Sequence, residues 1–168
     1  MRDLARDDTL LFALGNAGRG DDGLGWAFAK AVEARGFPAE NIHVRYHLQV
    51  EDAERIAEAG RVLFVDACRE RLPGGFEVRP CEPAATFAFT THSVSPEAIL
   101  FVCRELYGRS PDATCLLIAG EAWELGTGLS EAATRNLRIA TSAFTSTLRR
   151  SRRPSRGRLP PARSARRA

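Results

Sequence analysis

The period of apolar positions changes several times along the chain, and each change marks an element. "TLLFAL" (Thr9–Leu14) is apolar almost throughout and stops at Gly15, as a buried strand does. From Leu24 to Arg35 the positions Leu24, Phe28 and Val32 recur every fourth residue. With Ala27 and Ala31 they make one helical face, which "GFP" (Gly36–Pro38) ends. "NIHVRYHLQV" alternates, so a strand is expected with Ile42, Val44, Tyr46 and Leu48 on one side and His43 and His47 on the other as solvent-facing or edge residues. Glu51–Ala59 reads as a short helix, and "RVLFVDA" (Arg61–Ala67) as a second buried strand. After the turn at "LPGG", "FEVRPCE" is expected to be a strand that can run antiparallel. Ser95-Pro96-Glu97 starts a helix, with Ser as N-cap and Pro at the first helical position. "ATCLLIAG" is a further buried strand, and Ser130 caps a last helix from Glu131 to about Leu148.

The resulting order is β-α-β-α-β-β-α-β-α. It predicts a three-layer α/β/α fold around a mostly parallel, mixed five-stranded sheet. Residues 1–148 are expected to form one domain. Residues 149–168, rich in Arg, Pro and Ser, lack an apolar face and are expected to be a disordered tail.

Charge adds one correction to that picture. The net charge of +3 comes from the tail, which holds nine arginines and no acid. Residues 1–148 carry 15 basic against 21 acidic side chains, a net of −6. The basic balance is therefore no argument for nucleic-acid binding by the folded body. The four cysteines (Cys68, Cys81, Cys103 and Cys115) contain no C-x-x-C pair, which speaks against a zinc ribbon or a thioredoxin-type couple. Cys115 reads as a core residue. For Cys68, two residues past Asp66, both a small buried core position and a place near a site at that strand end are open. No signal segment is expected in "MRDLARDDT", and no apolar run approaches the roughly 20 residues of a membrane span. A cytoplasmic location with free thiols follows as the expectation, with no membrane partner.

The chemistry concentrates in "GNAGRGDDGLG" (Gly15–Gly25). Gly18, Gly20 and Gly23 spell the dinucleotide pattern G-x-G-x-x-G. Asp21 and Asp22, however, stand where phosphates would lie, and like charges 4 Å apart at an effective dielectric of ~20 repel by roughly 4 kcal/mol. One aspartate can cap the following helix, a role expected of Asp21, which leaves Asp22 to point elsewhere. Ligands in such sheets bind beyond the carboxyl ends of the parallel strands. Asp66 ends the third strand and His92 precedes the Ser95-capped helix, so Asp22, Asp66 and His92 all fall at strand-to-helix transitions. Two carboxylates and an imidazole with open positions make the donor set of a catalytic metal site.

At these residues the sequence resembles the hydrogenase maturation proteases, which trim the C-terminus of nickel–iron hydrogenase large subunits. The resemblance spans Leu11 to about Leu148. It is carried by "GNAGRGDDGLG", "HLQVEDA", "VLFVDAC", "THSVSPEAIL", "ELYG" and "GEAWELGTGLS" in that order. It implies that Asp22 of the D-[DE]-G-x-G motif, Asp66 and His92 contact a nickel ion. That nickel is probed on the substrate, the large-subunit precursor, which supplies it. No protein nucleophile is implied. Glu121 and "GTGLS" belong to the family pattern as structural or substrate-contacting residues, and the loop glycines would let the backbone approach a protein substrate. Ala17 departs from the Pro or Leu common at its position. Two further readings stay open: an assembly factor that binds the precursor without cutting it, and a dinucleotide-dependent enzyme. The oligomeric state is left open, a monomer being compatible with the sequence.

Overall fold

A computed structural model describes residues 8–85, 94–126 and 128–151. Within them the five strands are β1 (Thr9–Leu14), β2 (Ile42–Arg45), β3 (Arg61–Cys68), β4 (Phe76–Pro80) and β5 (Asp112–Ala119). The helices are α1 (Leu24–Glu33), α2 (Asp52–Glu58), α3 (Pro96–Tyr107) and α4 (Glu131–Ser151). The strands lie in the order β2-β1-β3-β5-β4. All neighbours pair in parallel except β4, which runs antiparallel to β5. The expected three-layer α/β/α architecture with a mixed five-stranded sheet is the one observed.

Both faces of the sheet are covered, which is why its central strands are apolar at nearly every position. Leu11, Ala13, Leu63, Val65, Leu116 and Ile118 pack against Leu24, Phe28 and Val32 of α1 and Phe144 of α4. Phe12, Leu14, Val62, Phe64 and Cys115 face the other way, onto Ile56 of α2 and Ile99, Leu100 and Cys103 of α3. The caps expected at Ser95 and Ser130 are present. Ser95 Oγ accepts from the Ala98 N–H and Ser130 Oγ from the Ala133 N–H, both at 3.1 Å.

Gly25 sets the distance between α1 and the sheet. A Cβ there would overlap the Leu14 carbonyl oxygen and stand 2.8 Å from that of Val65. Gly25→Ala is therefore expected to cost about 1–3 kcal/mol by forcing α1 outward. A lower urea midpoint with an unchanged slope would register this.

The second strand departs from the expectation. It ends at Arg45, because the chain then turns into α2. Asp52 fixes that turn, accepting from the Gln49 N–H at 3.0 Å and from Arg45 Nε at 3.2 Å. Leu48 is buried and Val44 and Tyr46 are exposed, so the four alternating positions do not share one covered side. Of the two readings open for His43, solvent-facing or edge residue, the second holds, since β2 is an edge strand and the side chain is half-buried. It stacks on Phe12 with ring centroids 5.1 Å apart. Burial, with Arg55 and Arg45 nearby, pushes its pKa below the usual histidine value. His47 is exposed as expected. The last helix runs past Leu148 to Ser151, and the remainder of the tail lies outside the described residues. Among the described residues no helix is long and apolar enough to cross a membrane.

Candidate active site

The sheet order creates the location. From β1 the chain crosses to β2 on one side, while β3 lies on the other side of β1. The carboxyl ends of β1 and β3 thus flank a topological switch point, where open α/β sheets form their crevices. The Gly15–Gly23 loop leaves β1 at this point, and Asp66 stands near the end of β3.

The loop is folded onto itself and onto the segment after β5. Gly15, at φ +117, begins it, and a Cβ there would overlap the Asp22 carbonyl oxygen. Gly20, at φ +53, presses against the 120s segment, with a Cβ position only 2.6 Å from the Ala122 carbonyl oxygen. Gly15 and Gly20 thus serve the internal packing of the loop. Almost every amide of the loop is already used. Asn16 N donates to Asp22 O, Gly18 N to Asn16 Oδ1, Gly20 N to Gly126 O and Asp21 N to Ala122 O, all within 2.8–3.1 Å. A phosphate cradle needs such amides free. The G-x-G-x-x-G spacing here belongs to a different structure, a single 3-10 turn over Gly20–Gly23.

The two adjacent aspartates have opposite environments. Asp21 is fully buried and caps neither the 3-10 turn nor α1, contrary to expectation. Its Oδ2 accepts from the Glu121 N–H (2.7 Å), the Ala122 N–H (2.8 Å) and the Ser130 hydroxyl (2.8 Å). Its Oδ1 accepts from the Ser130 N–H at 2.7 Å. Burial alone would raise its pKa, but the bonds from Ala122, Ser130 and Glu121 outweigh that and hold the carboxyl below its usual value. Asp21 is the latch between the β1 loop and the start of α4. Glu121 therefore has a structural role through its main chain, and Ser130 through both its main chain and its hydroxyl. This function was not visible locally, because its partners lie 100 and more residues away.

Asp22 is half-buried, and no described residue donates a hydrogen bond to its carboxylate. Its charge acts on Asp66. Burial pushes the Asp66 carboxyl up to about 6, the Ala67 N–H bond at 2.8 Å opposes this, and the negative charge of Asp22 adds to it. The structure thus brings two of the three expected site residues close enough for the charge of one to act on the other. His92 lies outside the described residues. Cys68, for which both a place near the site and a small buried core position were open, is half-buried at the end of β3, where its sulfur accepts from the Glu70 N–H at 3.3 Å. The Arg69 guanidinium stacks over the Trp123 ring at 4.4 Å from its centroid. An apolar groove of about 400 Å³, lined by Ala17, Trp26, Ala27, Val44 and Leu129, runs from the loop towards the exposed edge strand β2.

No family model matches the chain, and no curated protein sequence does. Solved structures do match. The hydrogenase maturating endopeptidase HybD from E. coli superposes with a TM-score of 0.66 at 20% identity, covering 86% of this chain and 93% of its own. The [NiFe] hydrogenase maturation protease HycI from Thermococcus kodakarensis gives 0.62 at 20% identity, covering 84% and 92%. A hydrogenase 3 maturation protease gives 0.57 at 23% identity, covering 81% and 88%. The fold is that of the hydrogenase maturation proteases.

Proposed function

We propose that the chain is an endopeptidase that removes the C-terminal extension of a nickel–iron hydrogenase large-subunit precursor after nickel insertion. In this reading Asp22, Asp66 and His92 recognise the nickel carried by the substrate. The observation that carries it is the pair of carboxylates at the switch point. Asp22 has no hydrogen-bond donor among the described residues, and Asp66 is held in a setting that disfavours its anion. A cation between them relieves both conditions, and an imidazole is a suitable third donor for nickel. The neighbouring aspartate, Asp21, is saturated with donors and has no such capacity.

The residues divide the work. Asp21 and Ser130 fix the loop so that Asp22 meets Asp66 with little rearrangement. The groove beside Trp26 takes a stretch of the precursor polypeptide, its apolar lining excluding water from the bound chain. Nickel loading then decides whether the precursor binds in register for hydrolysis. Its charge polarises groups at the bond to be cut.

Incubation with nickel-loaded precursor is expected to yield a shortened large subunit, and metal-free precursor should stay intact. Asp22→Ala and His92→Ala should each lower the cleavage rate at least about a hundredfold, the equivalent of roughly 3 kcal/mol. Mass spectrometry of the product reads this directly. A stable complex with no mass change would instead assign the non-cleaving role.

A further inference from the structure

A second cluster of donors shares no residue with the carboxylate pair. Cys81, Glu97 and Cys115 each direct a ligand atom to one point, and these atoms all lie within 4.8 Å of one another. They come from three elements. Cys115 is in the middle of β5. Cys81 follows β4, where its N–H donates to the Ala113 carbonyl at 2.9 Å and so aligns it along β5. Glu97 is in the first turn of α3, and its carbonyl accepts from the Ala84 N–H at 3.0 Å. Both thiols are buried, at 4% and 3% exposure, within the apolar layer under α2 and α3, whereas the glutamate is half-exposed.

An apolar layer does not call for this trio. Two thiols and a carboxylate repel one another once ionised, and burial intensifies that. The closeness of the two thiols pulls Cys115 below the usual thiol range and pushes Cys81 above it. The same atoms suit a metal. Tetrahedral zinc, with bonds of about 2.3 Å to sulfur and about 2.0–2.2 Å to carboxylate oxygen, brings its ligands within about 4 Å of each other. Thiolates select thiophilic ions over calcium or magnesium.

We propose that Cys81, Cys115 and Glu97 form a binding site for a thiophilic divalent cation of the zinc class, which clamps the β4–β5 edge to the start of α3. Binding displaces one proton from each thiol, and the ionised glutamate completes three protein ligands with a fourth position open. The site shares no residue with the carboxylate pair and differs from it in donor chemistry, although the charge of Asp66 reaches Cys115. It also stands apart from the proposed processing activity.

Full-length protein, reduced and handled without oxygen, is titrated with cobalt(II) as a spectroscopic probe. One equivalent is expected to produce near-ultraviolet sulfur-to-cobalt charge-transfer absorption. Cys81→Ser and Cys115→Ser should each abolish it, and Glu97→Gln should weaken binding by about tenfold or more. Asp22→Ala and Cys68→Ser should retain it. Absence of the band in the wild type, or its persistence in Cys81→Ser, overturns the proposal. Should the cysteine variants fail to fold, X-ray absorption of zinc-loaded wild-type protein decides. Two sulfur neighbours support the site, and a shell of oxygen and nitrogen alone, or no retained zinc, overturns it.

Discussion

Replacing Asp21 by Asn is expected to destabilise the protein by about 3–5 kcal/mol, the usual effect of removing one partner from a buried charged network. The substitution keeps the shape and removes only the charge and half of the acceptors. Three donors converge on Oδ2 and one on Oδ1. Whichever way the amide is turned, its NH2 group faces an N–H or O–H that has no other acceptor. For a domain of this size the melting temperature should fall by about 10 °C or more. The pH dependence identifies the cause. The folded-state pKa of Asp21 is depressed, so its contribution is complete above the unfolded value near 3.8 and disappears as pH falls through the folded one. The acid limb of the stability profile should therefore be shallower in Asp21→Asn than in the wild type. A variant that unfolds at the same urea concentration as the wild type would remove the latch from the account.

Asp66→Asn is expected to act in the opposite direction. Folding raises the Asp66 carboxyl from 3.8 to about 6. Between those values the unfolded chain has already lost its proton while the folded protein keeps it. Stability from this group therefore falls as pH rises through that window and is level above it. Near neutral pH the accumulated cost is about 3 kcal/mol. Asn carries no charge, and its side-chain oxygen can still accept from the Ala67 N–H. The variant should gain up to about 3 kcal/mol over the wild type near neutral pH, and the difference should close towards pH ~4. Cleavage of nickel-loaded precursor should be lost in the same protein. Greater stability with lost activity is what a site gives when its charge serves a ligand and not the fold. Urea titrations across the pH range, beside the cleavage assay, test both halves.

The contrast between Asp21 and Asp22 marks the limit of local reasoning. Nothing in "GDDG" distinguishes them, and a helix-capping role for Asp21 is the natural reading of a carboxylate just ahead of a helix. The capping role fails because Glu121, Ala122 and Ser130 supply stronger donors from the far end of the chain. The same holds for β2. Its alternating pattern continues to Val50, but the Arg45–Asp52 pair and the Gln49 turn divert the chain into α2. Alternation alone leaves His43 as either a solvent-facing or an edge residue, and the stacking of Phe12 from the neighbouring strand decides for a half-buried edge position.

By itself the sequence determined the order of strands and helices, the layered architecture, and the caps at Ser95 and Ser130. These depend on periodicity and on hydrogen bonds spanning three or four residues, which are local quantities. Only the tertiary structure decided which aspartate is latch and which is free, and that Asp22 acts on Asp66. It also decided that Cys81 and Cys115, widely separated in sequence, meet beside Glu97. Hydrogen-bond satisfaction, burial and Coulomb interaction depend on distance in space, and the sheet order β2-β1-β3-β5-β4 is what converts distant positions into neighbours.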